Sequence, residues 1–202
     1  FRTFGVVLIV WVHSTAAVAQ DITWTDIRTL GVEGRGFEKT KSFFDRLPAA
    51  AEALVRKPVW SLSEDSAGMS VRFVTSATTL HARWTLRRSR LALPHMAATG
   101  VSGVDLYVRD GKGRWRWLAC GFPTKTPTNS VKLISGIPAG RREYMLYLPL
   151  YNGVTSVELG VVQGTAIEKA PSRPRSHARP ILFYGTSITH GACASRPGMT
   201  HP

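Results

Sequence analysis

Leu80-His81-Ala82-Arg83-Trp84-Thr85-Leu86 alternates apolar and polar side chains without a break. Successive side chains of a strand point to opposite faces, so Leu80, Ala82, Trp84 and Leu86 share one face and His81, Arg83 and Thr85 the other. This pattern predicts a strand half-buried in an antiparallel sheet. Just upstream, Val71, Phe73 and Thr75 alternate with Arg72 and Val74 in the same way. Downstream, residues 104–109 and 114–120 flank Asp110-Gly111-Lys112-Gly113, a hairpin with its turn residues in place. Residues 143–148 and 156–162 read as two more strands, joined through the turn signal Tyr151-Asn152-Gly153. Short strands punctuated by Gly and Pro predict a mainly β fold, an antiparallel, jelly-roll-like β-sandwich over residues 21–168.

The flanks read differently. Arg2, the apolar run Phe4-Gly-Val-Val-Leu-Ile-Val-Trp-Val12 and the small-residue site Ala17-Val18-Ala19 have the order of an export signal, expected over residues 1–20. That places the protein in the periplasm or outside the cell. The run Ala49-Ala50-Ala51-Glu52-Ala53-Leu54-Val55 predicts a turn or two of helix that Pro58 ends. Residues 169–180 carry three prolines and no apolar period, and read as an extended linker, with an ordered strap along the sandwich as the alternative. Then Ile181-Leu182-Phe183-Tyr184 reads as the first buried strand of a parallel sheet, apolar on both faces. Residues 181–202 are too few for a strand–helix–strand unit of about 30 residues, so they are expected to be the start of an incomplete α/β domain.

Composition narrows the function. The chain has 202 residues, 44% of them hydrophobic and 19% charged, which excludes a wholly disordered or collagen-like protein. Its 26 Lys+Arg against 13 Asp+Glu, a net charge of +13, suggest a polyanionic partner. The excess in the sandwich is mostly Arg spaced along strands, which reads as a solvated face. There is no zinc finger, RNA-binding aromatic signature or lysine-rich tract, so no nucleic-acid partner is expected. No apolar run approaches the roughly 18 residues of a transmembrane helix. Cys120 and Cys193 lack metal-site spacing, and a bridge between them would have to join two domains. No carboxylate pair or His cluster has the spacing of a metal site.

Chemistry concentrates in Gly185-Thr186-Ser187-Ile188-Thr189-His190-Gly191. A serine just beyond a buried strand lies where open α/β sheets bind ligands. Gly185 would allow a tight turn, and N–H groups at a following helix start could stabilise an oxyanion. The segment is not the G-x-S-x-G elbow, because Thr189 stands where glycine is required, and it is not a P-loop, because no lysine follows. The plainer alternative is a serine that merely caps a helix.

Residues 181–199, Ile-Leu-Phe-Tyr-Gly-Thr-Ser-Ile-Thr-His-Gly-Ala-Cys-Ala-Ser-Arg-Pro-Gly-Met, resemble the first block of the SGNH (GDSL-type) hydrolases, in the secreted bacterial branch that carries Gly-Thr-Ser-Ile-Thr. That branch has a β-sandwich ahead of its hydrolase domain. Phe44-Asp-Arg-Leu-Pro48, Val59-Trp-Ser-Leu-Ser63 and Ser66-Ala-Gly-Met-Ser-Val-Arg-Phe-Val74 resemble that sandwich. The resemblance implies that Ser187 is the nucleophile of an ester hydrolase and a backbone oxyanion donor, with Gly185, Thr186, Ile188 and Thr189 as its supporting turn. It implies an acyl-enzyme, no cofactor and no metal, with a small-molecule or polysaccharide ester as substrate and acylated carbohydrate as the favoured class. The family's catalytic His, its Asp and the remaining oxyanion donors belong to later blocks absent from this chain. His190 and His201 do not match that histidine, so the 202 residues alone are expected to be inactive.

A rival reading is a non-catalytic carbohydrate-binding sandwich, since Trp60, Trp84, Trp115 and Trp117 could stack on sugars. Trp115 and Trp117 lie on one strand face, which the plainer reading puts in the core, with Arg114 and Arg116 opposite in solvent. Cys120 reads as a buried free thiol.

Overall fold

The computed structural model describes residues 21–174 and 181–200. The predicted export signal and residues 175–180 of the linker lie outside them. The strands are β1 (Ile22–Asp26), β2 (Val32–Glu33), β3 (Ser70–Thr75), β4 (Thr79–Leu86), β5 (Val104–Arg109), β6 (Trp115–Gly121), β7 (Thr128–Ser135), β8 (Arg142–Tyr147), β9 (Val154–Val162) and β10 (Ile167–Lys169). The α-helices are short: α1 (Lys57–Ser63), α2 (Ala98–Val101) and α3 (Ser187–His190).

Every strand pair is antiparallel. One sheet has the order β1-β9-β4-β7, and the other β10-β3-β8-β5-β6 with β2 also on β3. The two sheets share one apolar core, to which β4 contributes Leu80, Ala82, Trp84 and Leu86, and β8 contributes Tyr144 and Leu146. This is the predicted β-sandwich. Along β4 the buried and half-buried residues alternate as the sequence implies. Trp84 has no exposed surface and donates its indole N–H to the carbonyl of Ser102 at 2.9 Å, so its one polar atom is satisfied.

Several local expectations change. β3 is buried on both faces. Arg72, expected in solvent, sits between Glu33 (2.7 Å) and Glu143 (2.6 Å) and donates to the carbonyl of Pro171 at 3.1 Å. The first residues of the expected linker are thus strapped to the sandwich, with Arg173 also paired to Glu33. β10 runs one residue past the expected boundary at 168. The alanine run forms a 3-10 turn at Ala49–Ala53, and Pro58 stands in the first turn of α1 instead of ending a helix, because the first turn leaves its missing N–H without consequence. β7 and the short edge strands β1, β2 and β10 carry patterns too brief or too polar to single out from the chain.

Trp115 and Trp117 do not enter the core. Trp117 is 51% exposed, and β6 carries a register irregularity opposite Leu106/Tyr107. Spacing of two puts both rings on one face, but it is the outer face of the six-stranded sheet. The inner face is filled by Val104, Leu106 and Ala119. Arg114 and Arg116 are exposed as expected, and both pair with Asp110 at 3.1 Å.

Candidate active site around Ser187

Ser187 is the first residue of α3 and is exposed. The N-cap position belongs to Thr186, whose side chain makes no capping bond, so Ser187 does not serve as a helix cap. The first N–H groups of any helix lack intrahelical acceptors. Gly185 is needed here for space: a Cβ at this position would run into the side chain of Thr189, one helical turn ahead. Ile188 is exposed and Thr189 half-buried. Gly191 ends the helix in the left-handed region (φ 99°), the usual C-terminal geometry, and its N–H bonds back to Ile188.

His190 is the buried side chain of α3. Its Nε2 lies 2.6 Å from the carbonyl oxygen of Leu150, and its Nδ1 lies 3.1 Å from Nη2 of Arg46. A carbonyl only accepts and a guanidinium only donates, so Nε2 carries the proton and Nδ1 is the acceptor. The ring stacks on Tyr151 with centroids 4.1 Å apart. Burial, then the positive charge of Arg46, push the imidazole down to about 4, so it is neutral at neutral pH. Both nitrogens are committed, and neither is available to the Ser187 hydroxyl. Arg46 is itself fixed by the carbonyls of Leu62 (2.6 Å) and Asp65 (3.0 Å). Asp65 is almost fully buried, pairs with Arg88, and accepts the N–H of Gly153 at 3.1 Å.

A second anchorage follows the helix. The N–H of Gly198 donates to Oδ2 of Asp105 at 2.9 Å, and Arg196 approaches the same oxygen at 3.3 Å. The Arg196 guanidinium lies over Trp117, 4.8 Å from its centroid, while the Trp117 indole N–H donates to Oδ1 of Asp105 at 2.8 Å. Thr99 donates to the carbonyl of Ser195. Residues 190–200 therefore pack on the end and outer face of the sandwich. Arg46, Asp65, Asp105 and Arg196 lie in strings that read as structural, and Tyr151 reads only as part of a turn, so none of the five stands out as a functional residue from the sequence. The available signal was a carboxylate inside an apolar strand, Asp105.

Residues 181–184 do not form a strand. Ile181, Leu182 and Tyr184 are 80%, 84% and 91% exposed. A run apolar on both faces needs strands beside it and helices over it, and no such elements lie there among the described residues. A shallow open hollow beside α3 is lined by Ile188, Cys193, Met199 and Thr200. Cys120 and Cys193 are both free thiols. Among the described residues no group of His, Cys, Asp or Glu could hold a metal ion, and no helix is long and apolar enough to cross a membrane. His201 lies outside the described residues.

Comparison with known proteins adds to this geometry. The family described as "GxDLY: N-terminus of Esterase_SGNH_hydro-type" matches residues 22–167, and the string behind that name stands here as Gly103-Val104-Asp105-Leu106-Tyr107. The GDSL-like Lipase/Acylhydrolase family matches residues 178–202. A crystal structure from Bacteroides ovatus ATCC 8483, described as a GDSL-like lipase, is similar at a TM-score of 0.79 and 30% identity, over 90% of this chain and 52% of that one. The chain thus spans about half the length of that relative. A salicylyl-acyltransferase from a tetracycline biosynthetic pathway shares the fold at a TM-score of 0.50 and 16% identity, over 78% of this chain and 44% of that one. No curated protein matches.

Proposed function

Because the chain belongs to the SGNH-hydrolase-type esterases whose N-terminus is the GxDLY domain, we propose that it is the N-terminal part of an exported serine esterase in which Ser187 attacks the ester carbonyl. Residues 1–20 direct export and are removed after it. Residues 181–202 open the hydrolase domain. The observation that supports this reading is the place of Ser187: exposed, first in its helix, free of a capping role, and carried by a helix whose only buried side chain is pinned to the sandwich.

The chemistry follows from the groups present. The Ser187 hydroxyl forms the bond to the acyl carbon, its backbone N–H donates to the developing oxyanion, and the alcohol leaves to give an acyl-enzyme that water hydrolyses. A serine hydroxyl is a weak nucleophile without a base, and His190 cannot act as one while Arg46 and Leu150 hold its two nitrogens. The 202-residue chain by itself therefore turns over essentially nothing. Acylated carbohydrate is the substrate class this reading favours, from the export signal and the family likeness.

The test is hydrolysis of p-nitrophenyl acetate. The 202-residue chain runs no faster than its Ser187→Ala variant, whereas a longer chain carrying the family's later His and Asp is active and loses that activity with Ser187→Ala. Ser187-independent hydrolysis by the longer chain would overturn the assignment. A sugar-binding module built on Trp117 is less well supported, because Arg196 lies over its ring and its indole N–H is bonded to Asp105.

A further inference from the structure

We propose that Arg46 and Tyr151 of the sandwich are positioning residues for Ser187, acting through His190 as a peg that holds α3 in place. The inference rests on the reading of Ser187 as nucleophile. It assigns the sandwich a direct part in shaping the site.

A four-residue helix has no independent stability in water, since nucleation outweighs the one or two hydrogen bonds it gains. The conformation of α3 must come from what it touches. Ser187 and Ile188 face solvent and Thr189 is half-buried, which leaves His190 as its buried anchor. Four residues of the sandwich meet that ring. Arg46 donates to Nδ1, Leu150 accepts from Nε2, Tyr151 stacks on the face, and Asp65 Oδ2 lies 3.7 Å from Nε2. Arg46 is braced by two carbonyls at the end of α1, so its guanidinium is not a swinging surface group. Tyr151 makes the second hold, its hydroxyl lying 3.3 Å from the backbone carbonyl of Ser187 itself. The same carbonyl accepts the N–H of Ala192 at 2.8 Å, which closes the turn. One end of α3 is thus held at its backbone and the other at its side chain.

The peg works in one protonation state. A proton on Nδ1 would set two donors against each other and place a second cation beside Arg46, with Arg88 behind Asp65. Asp65 is a poor counter-ion in acid because burial pushes its own carboxyl upward. Tyr151 offers no negative charge, since burial pushes its phenol up as well. Acid should therefore release α3 from the sandwich before the sandwich itself unfolds.

Hydrogen exchange on the 202-residue chain tests this, read at the amides of His190 and Ala192, which bond to Thr186 and Ser187. At neutral pH both are protected. Arg46→Ala reduces that protection by about tenfold or more while core amides such as that of Leu159 keep theirs. His190→Gln retains it, because a glutamine amide offers one donor to Leu150 and one acceptor to Arg46. After correction for intrinsic exchange, the wild type loses protection progressively as pH falls from 6.5 to about 4, and His190→Gln does not. Unchanged protection in Arg46→Ala would overturn the proposal. So would an identical acid loss in wild type and His190→Gln, which decides the matter even if Arg46→Ala fails to fold. None of these readings needs the Ser187 hydroxyl, and repeating them in Ser187→Ala separates failure of the peg from failure of the esterase reading.

Discussion

Oδ2 of Asp105 accepts the backbone N–H of Gly198 at 2.9 Å, across 93 residues of sequence. Asp105 has no exposed surface, although it lies on the outer side of its sheet. Its other oxygen serves Trp117, and Arg196 supplies the neighbouring positive charge. One carboxylate therefore joins two strands of the sandwich to the segment that follows the nucleophile helix. The strand at 104–109 is thus a receptor surface for residues 196–199 as well as a sheet element.

Asp105→Ala removes the acceptor of two N–H groups and the counter-charge of a half-buried arginine. Leaving such groups unpaired costs about 3 kcal/mol. Urea melts should show that loss, with Asp105→Asn falling between the two because an amide oxygen can still serve one donor. An alanine variant as stable as the wild type would show that the carboxylate does not hold the segment.

Gly198 and Gly100 test the same contact by shape. A Cβ at Gly198 would enter the ring of Tyr107, and one at Gly100 would meet the backbone carbonyl of Ala194. Neither glycine has positive φ, so the constraint is space and not backbone conformation. Gly198→Ala should leave the sandwich folded while thermolysin cuts within residues 190–200 faster than in the wild type. Equal cutting rates would mean that the segment is not docked there in solution.

How far the chain could be read in advance depends on what each pattern encodes. Leu80–Leu86 was legible because one face is core and the other half-open, so the alternation states both the strand and its orientation. Trp115 and Trp117 were not. A period of two says that they share a face, not which face, and the outer face is covered by residues about 80 positions later. Arg72 misled for the same reason, since its covering partners Glu33, Glu143 and Pro171 are remote in sequence. Ser187 stood out as part of a local string. Arg46 did not, because its link to His190 spans 144 residues and arises only when the fold closes. Local chemistry was readable, while what braces it was not.

The two thiols should separate by reactivity. Burial, then the negative charge of Asp105, push the Cys120 thiol up to about 12, so almost no thiolate exists at pH 8. Cys193 is exposed. Reaction with 5,5′-dithiobis(2-nitrobenzoate) at pH 8 should modify one thiol per chain rapidly and the second only after unfolding. Cys120 is half-buried where a buried thiol was expected, and two fast thiols in the native protein would show that this partial cover does not protect it.

The acid stability of the fold should carry the signature of His190. Its folded pKa, about 4, lies below the unfolded value of 6.5. The unfolded chain therefore binds a proton that the folded chain refuses, and stability is lost as pH falls from 6.5 through 4. A shift of that size corresponds to about 3 kcal/mol. Asp65 and Asp105 act in the opposite sense, because burial raises both carboxyls and their contribution is lost as pH rises through the folded values. The wild-type curve alone mixes these effects, so the informative quantity is the difference from His190→Gln, which lacks the titrating group and keeps both carboxylates. Urea melts at pH 7, 5.5 and 4 should show the wild type losing stability relative to His190→Gln at each step down. A difference that stays constant with pH would mean that His190 is not held neutral in the folded protein.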